Sequence, residues 1–222
     1  MPETQRRRAA TDDGFTLVEL LIAMMVFSII MALLTATMIT MMTQANDNLG
    51  RQRAVEQARL GLSQIDRQIR SGNLILDPAS DTTAGVPVYY SLRILTQEGG
   101  TDKCVQWRVD YADAADRFGQ LQYREWDPAD TSTVTAWTRV ASNVEKPASS
   151  TILASDSTTW PPFWVDTSLP TGTDAQNIRI TLRMGDPGAR TDAKAQVLTS
   201  VVTGRNTVFG YSSTYCNTVP AP

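Results

Sequence analysis

The sequence contains no histidine and only two cysteines among its 222 residues. Without histidine the chain cannot form a Ser-His-Asp triad, a histidine-activated cysteine nucleophile or the usual histidine-containing zinc sites. Twenty basic residues against 23 acidic ones give a net charge of −3, so no overall positive field draws the chain to nucleic acid. We therefore expect no catalytic residue and no metal or other cofactor; direct binding of nucleic acid is not supported, and a local basic patch stays open as the alternative.

The hydrophobic residues, 42% of the chain, are concentrated near the N-terminus. Between Leu20 and Met42, 19 of 23 residues are apolar and none is charged. A helix of this length spans roughly 35 Å, enough to cross a hydrocarbon core of about 30 Å. A buried core helix is the weaker alternative, because such helices rarely run so far without a charge. Arginines at 6–8 predict that the N-terminus stays in the cytoplasm, with a single membrane pass and the rest of the chain outside.

Two other export signals fit this segment poorly. A secretory signal peptide has an apolar core of about 7–15 residues and a small-x-small cleavage site, whereas this run is longer and has no convincing site before Thr43. The arginines at 6–8 are not followed by the rest of a twin-arginine pattern. We therefore expect the apolar helix to be kept in the mature protein.

One carboxylate, Glu19, directly precedes the apolar run. A charge costs about 2.5–3.5 kcal/mol at the centre of a bilayer and less near its edge, so Glu19 either has a partner or lies among head groups. The segment from Gly14 to Glu19 reads Gly-Phe-Thr-Leu-Val-Glu and, with the apolar run, resembles the class III leader of type IV prepilins and pseudopilins. The resemblance implies that a membrane prepilin peptidase and methyltransferase cuts after Gly14 and methylates Phe15 as the new N-terminus.

The same resemblance gives Glu19 a role in assembly. After cleavage Phe15 would carry an ammonium, and the carboxylate of Glu19 could pair with that amine or with the amine of a neighbouring subunit. The implied partners are other major and minor pilin subunits and the assembly platform in the cytoplasmic membrane. The implied final location is the cell surface or the pilus, and the implied function is structural rather than enzymatic.

The chain is predicted to contain four segments. They are a cleaved leader at 1–14, a hydrophobic membrane and assembly helix at 15–43, an amphipathic second half of the helix at 44–73, and an extracytoplasmic β-rich head domain at 74–222. In the second half of the helix, apolar residues at helical spacing form one face for packing. These residues are Val55, Ala58, Leu62, Ile65 and Ile69. Gly72 is expected to end the helix as its C-cap.

Beyond Val86 the apolar spacing changes to the alternation typical of β-strands. The alternation is clearest at 178–184 and recurs at 88–94, 105–109 and 121–123, with further candidate strands at 195–203 and 207–215. We predict an α+β fold, in which the long N-terminal helix packs on an antiparallel β-sheet or β-roll.

Residues 131–174 are predicted to form long surface loops, because 17 of these 44 residues are serine or threonine and four are proline. Within them Trp160, Phe163 and Trp164 flank two prolines that disfavour pairing in the middle of a sheet. Two interpretations remain open for these aromatic residues. They form a contact surface for another subunit or an external ligand, or they cover the core of their own domain.

Cys104 and Cys216 are the two cysteines. In an exported domain an even pair suggests one disulfide, worth roughly 4–5 kcal/mol in the chain-entropy model, and two buried free thiols are the alternative. Prepilins often carry a disulfide loop near the C-terminus, so the bond is compatible with the resemblance.

The subtype rests on weaker similarities near the two ends of the chain. The segment Leu62 to Gly72 and the segment 197–206, which closes in Arg-Asn, are similar to minor pilins of the PilW kind and to J-type minor pseudopilins. Many major pilins carry a proline in the mature helix where this chain has Ala36. The resemblance favours a minor pilin of a type IV pilus. The alternatives are a pseudopilin of type II secretion, a subunit of a competence pilus, or a membrane-anchored adhesin or enzyme with a pilin-like leader.

Pairs of acidic residues supply examples of candidates for an enzymatic interpretation. Asp113 with Asp116 and Asp127 with Asp130 could serve glycoside chemistry. They lie in turn-like stretches, where aspartate ordinarily caps the backbone, and this explanation is favoured.

Overall fold

The computed structural model describes residues 14–113, 115–165, 177–188, 194–204 and 214–221. The arginines at 6–8, most of the candidate strand at 207–215 and the Arg-Asn pair at 205–206 lie outside the described residues. The chain divides into two compact units, Met1–Asn46 and Asp47–Pro222.

The helix α1 runs from Leu17 to Ser71 and continues without interruption through Ala36. It is the one described helix that is long and apolar enough to cross a membrane. Between Leu17 and Thr43 all five hydroxyl side chains donate to a backbone carbonyl three or four residues earlier, as Thr35 Oγ1 does to Met31 O at 2.8 Å. The five residues are Ser28, Thr35, Thr37, Thr40 and Thr43. Their hydroxyls are therefore satisfied within the helix itself, as an apolar environment requires.

In the second unit, α1 packs on the sheet through a face that differs in part from the predicted one. Its buried residues are Ala54, Ala58, Gly61, Ile65 and Ile69, whereas the predicted Val55 and Leu62 are only half-buried. A Cβ on Gly61 would lie 2.8 Å from Leu121 Cδ2, so the helix approaches the sheet too closely for a larger residue at this position. Hydrophobic periodicity misses this part of the face, because it gives no weight to glycine and little to alanine.

In the part of the chain that the structure describes, eight strands follow α1, and every pairing between them is antiparallel. They are β1 (Gly72–Ile75), β2 (Ser91–Glu98), β3 (Thr101–Asp110), β4 (Phe118–Trp126), β5 (Thr138–Glu145), β6 (Phe163–Trp164), β7 (Asn177–Met184) and β8 (Gln196–Thr203). The order in the sheet is β1-β2-β3-β4-β5-β7-β6, and β8 also pairs with β7. The prediction of an α+β fold with an antiparallel sheet is confirmed.

Two predictions about local structure are only partly right. The helix ends just before Gly72, as predicted, but Gly72 lacks the positive φ of a C-cap glycine; it starts β1, where a Cβ would lie 2.8 Å from Ile94 Cγ2, so close packing explains the glycine. The serine- and threonine-rich region is not all loop, because β5 and the short β6 lie within it. Ala141 and Val144 supply the buried side chains of β5.

Adjacent residues of the central strands belong to two different hydrophobic clusters. In β2, Leu92 and Ile94 belong to the main core together with Ile65 and Ile69 of α1, whereas Leu95 belongs to a second cluster. The second cluster consists of Leu74, Leu95, Cys104, Trp126 and Cys216. Because adjacent side chains of a strand point to opposite faces, the two clusters lie on opposite faces of the sheet.

Candidate processing and assembly segment

The first turn of α1 is closed by a capping box. The backbone N–H of Thr16 and its Oγ1 donate to Glu19 Oε2 at 3.0 and 2.9 Å, and the backbone N–H of Glu19 donates to Thr16 Oγ1 at 3.3 Å. Two N–H groups that a helix start leaves unpaired are thereby satisfied reciprocally. The Thr-x-x-Glu pattern in the sequence is the local signal for this capping box, which the interpretation of Glu19 as a bare charge does not include.

The capping box fixes where the carboxylate lies relative to the predicted cleavage bond. Glu19 is turned back toward Thr16, and the Gly14–Phe15 bond precedes the first helical residue, Leu17. The positive end of the helix dipole favours a negative charge at this position. Glu19 Oε1 accepts no hydrogen bond from any residue that the structure describes. One carboxylate oxygen is therefore engaged and the other is free for a further donor.

Glu19 lies on a helix surface that is otherwise apolar. Residues at positions 15, 19, 23 and 27 repeat every four residues and share this surface with Leu20 and Met24. Phe15 is 88% exposed and Phe27 63% exposed in the isolated chain. Glu19 is thus the charged residue on an otherwise apolar surface that is suited to packing against another apolar helix.

The three aromatic residues predicted to form a contact surface have different environments. Phe163 is fully buried in the main core, because β6 pairs Phe163 with Ile180 of β7, so it cannot belong to an exposed surface. Trp160 and Trp164 are half-buried, and their ring centroids are 6.2 Å apart. The guanidinium carbon of Arg179 lies 4.0 Å from the Trp160 ring and 5.1 Å from the Trp164 ring. Only the two tryptophans still offer partly exposed aromatic surface.

Cys104 and Cys216 form a disulfide that joins residues 112 positions apart. The alternative of two free thiols therefore does not describe this structure. Both cysteines are buried in the second hydrophobic cluster, beside Trp126. The bond links β3 to the segment 214–221, which we call the Cys216 segment.

A buried polar network, not anticipated from the sequence, lies beside this disulfide. Asp81 is 1% exposed and accepts a hydrogen bond from Ser91 Oγ at 2.6 Å, and its Oδ2 lies 3.2 Å from Arg93 Nε. Burial raises the pKa of Asp81, but hydrogen bonds from Ser91 and Thr83 and the charge of Arg93 outweigh it, so the pKa lies below its ordinary value. Asp81 is therefore ionised at neutral pH and balances the buried charge of Arg93.

Arg124 extends the same network. It is 2% exposed, and its Nε and Nη2 donate to Gln106 Oε1 at 3.0 and 2.8 Å. Gln106 Nε2 in turn donates to Asp81 Oδ2 at 3.3 Å. No local sequence pattern predicts these contacts, because the partners come from β3, β4 and the segment between β1 and β2.

The acidic pairs act as turn caps. Asp116 Oδ2 accepts from the backbone N–H of Asp113, and Asp130 Oδ1 accepts from the side chain and backbone N–H of Ser132. The bonds from Ser132 hold the pKa of Asp130 below its ordinary value. Within the described ranges no three or more potential metal-binding side chains cluster together.

Comparison with known proteins gives one match. Residues 11–35 fit the family model described as the prokaryotic N-terminal methylation motif, a region that includes Gly14, Phe15 and Glu19. Neither the curated proteins nor the solved structures gave a match to the chain. The motif implies processing by a prepilin peptidase and supports a type IV pilin-like precursor, in agreement with the capped apolar helix that begins just after Gly14.

Proposed function

We propose that the protein is a minor pilin, a non-enzymatic subunit that joins a type IV pilus or initiates its assembly. The observation that carries the proposal is the methylation motif at 11–35 together with Glu19 capping the first turn of an apolar, membrane-length helix. The precursor crosses the cytoplasmic membrane once, with its N-terminus in the cytoplasm and its head domain outside. Its partners are the prepilin peptidase, the assembly platform and other pilin subunits.

Cleavage after Gly14 gives the capping box a second use. The new ammonium of Phe15 adjoins Thr16, whose N–H already binds Glu19 Oε2. Oε1 can accept a further charge-assisted hydrogen bond, from this ammonium or from that of a neighbouring subunit. Because the amine of a neighbour lies in the filament, pairing with it favours transfer of the helix from lipid to filament and sets the register of the two helices.

A minor role is favoured over that of the main building block by the uninterrupted helix at Ala36, where many major pilins have proline. A pseudopilin of type II secretion and a competence pilin share the same motif and the same assembly chemistry. The neighbouring genes distinguish these systems, because a pilus, a secretion complex and a DNA-uptake system are accompanied by different partners.

Processing is tested by the mass and N-terminal sequence of the protein purified from membranes of its own cells. We expect the mature chain to begin at N-methylated Phe15. A mature chain that begins at Met1, or at a residue beyond Met42, would show that the leader is not a prepilin leader.

Assembly is tested with Glu19→Gln, which keeps the shape and hydrogen-bonding oxygen of a capping box but removes the charge. We expect normal cleavage and loss of the subunit from sheared filaments, as for Glu19→Ala. Glu56→Gln, an exposed position further along α1, is the matched control and should assemble normally. If Glu19→Gln assembles like the wild type while Glu19→Ala does not, Glu19 acts as a helix cap and not through its charge.

A further inference from the structure

We propose that Arg93 and Arg124 form an internal binding site for the backbone of the Cys216 segment, and that this site places Cys216 against Cys104 before the disulfide forms. The ligand is a stretch of peptide backbone within the chain itself. The guanidinium groups, and not the covalent bond, would then determine where the segment lies.

Both guanidinium groups are held in place by residues outside the Cys216 segment. Arg93 is 5% exposed and paired with Asp81, which is itself held by Ser91. Arg124 is fixed by its two hydrogen bonds to Gln106, and its guanidinium carbon lies 4.4 Å from the ring centroid of Trp137. A site whose donors are already oriented binds its ligand with less loss of entropy.

The remaining donors of the two arginines point to three carbonyls of the segment. Arg93 Nη1 donates to Cys216 O at 2.6 Å, Arg124 Nη1 to Ala221 O at 2.7 Å and Arg124 Nη2 to Pro220 O at 3.0 Å. Pro220 is buried, and Val219 packs against the second hydrophobic cluster. These contacts depend on backbone carbonyls and on apolar burial, so none of them requires the disulfide.

The conformation of Cys216 belongs to the same arrangement. Its φ is 61°, in the left-handed region that non-glycine residues rarely adopt, within a turn closed by the bond from Asn217 N to Thr214 O at 3.1 Å. The turn holds the carbonyl of Cys216 on Arg93 while its sulfur faces Cys104. Binding of the Cys216 carbonyl to Arg93 therefore also places the Cys216 sulfur next to Cys104.

Docking raises the frequency with which the two thiols meet, because both are then held in the same part of the folded domain. Two thiols separated by 112 residues meet seldom in an open chain, whereas a docked segment raises their effective concentration. The oxidant is a disulfide compound, such as oxidised glutathione. One cysteine thiolate attacks it to give a mixed disulfide, and the second thiolate displaces the reduced thiol, so two protons and two electrons leave the protein and the oxidant becomes two thiols.

The kinetic experiment compares two shortened chains in detergent micelles. The chain that stops after Val219 lacks both carbonyls bound by Arg124, and the matched control stops after Ala221 and keeps them. After reduction, both are mixed with oxidised glutathione, and bond formation is followed by trapping free thiols. We expect the chain that stops after Val219 to oxidise at least about tenfold more slowly, the factor expected from the loss of even one of the two charge-assisted hydrogen bonds. Equal rates would overturn the proposal.

The equilibrium experiment removes the bond instead. In the full chain carrying Cys104→Ser and Cys216→Ser, the amide of Asn217, which donates to Thr214 O, should stay protected from hydrogen exchange to within about tenfold of the oxidised wild type. The amides of β3 and β4 report in the same spectra whether the domain is folded. Full exchange of the segment in a folded domain would show that the bond holds it and would overturn the proposal. If the double variant does not fold, the oxidation rates alone decide the question.

Discussion

Replacing Asp81 with asparagine should destabilise the head domain by about 3–5 kcal/mol, the range for breaking a buried ion pair. Asp81 is 1% exposed, and its Oδ2 lies 3.2 Å from Arg93 Nε, whose side chain is 6% exposed. Asparagine preserves the shape of the side chain, so it creates no cavity. The loss therefore measures the missing counter-charge of Arg93 together with the hydrogen bonds that Asp81 Oδ2 accepts from Ser91 and Gln106.

The assay is unfolding of the full chain in detergent micelles by urea, followed by the near-ultraviolet circular dichroism of the buried tryptophans. Asp66→Asn is the matched control, because Asp66 forms an exposed ion pair with Arg70 at 2.9 Å, and its loss should cost less than about 1 kcal/mol. Similar losses in the two variants would refute the importance of burial for the Asp81 pair.

The same pair predicts how stability depends on pH. The pKa of Asp81 is lower in the folded domain than its ordinary value, because the hydrogen bonds and the charge of Arg93 outweigh burial. A lowered pKa contributes stability above the unfolded pKa of about 3.9, and this contribution is lost as the pH falls through the folded pKa. The wild type should therefore lose stability below about pH 4, and Asp81→Asn should lose less over the same interval. Identical acid sensitivity of the two proteins would contradict this assignment.

Two further substitutions test the packing of the head domain by the same urea assay. The hydroxyl of Tyr111 is buried without a hydrogen-bond partner among the described residues, so Tyr111→Phe should leave stability unchanged or raise it by up to about 1 kcal/mol; a clear loss would reveal a partner for the hydroxyl. Ile65 is fully buried between α1 and the sheet, so Ile65→Ala should cost about 2–5 kcal/mol. Leu60→Ala, at a position that is 61% exposed, is its control. Equal losses of stability in the two variants would show that α1 does not pack on the sheet through Ile65.

Strands whose apolar residues keep a strict period of two were predictable from the sequence. In β3, Val105, Trp107 and Val109 alternate and are all buried. In β5 the buried residues Ala141 and Val144 are three positions apart, because Asn143 between them has a φ of 63° and the pairing with β4 shifts register. An irregularity of this kind moves side chains out of alternation, so no periodicity search could have found β5.

The candidate site likewise has one part that the sequence predicts locally and another that depends on long-range contacts. Gly14, Thr16 and Glu19 lie within six residues, so their motif and the capping box could both be read locally. Arg93 and Arg124 are charged residues in strands, for which exposure is the ordinary expectation. Their partners in the Cys216 segment lie about a hundred residues further along the chain, and only the folded sheet brings them together.

The hydroxyl side chains of α1 bear on what happens when the helix changes its surroundings. Each of the five between Leu17 and Thr43 keeps its hydrogen bond inside the helix, so none has to find a new partner when lipid is replaced by neighbouring protein. For this stretch lipid and the apolar surface of a neighbouring helix are environments of nearly equal polarity, so transfer between them changes the free energy of the helix little. Under the proposed function the polar adjustment is confined to the few atoms around Glu19, so we expect the pairing of this one carboxylate to decide whether the helix stays in lipid or joins the filament.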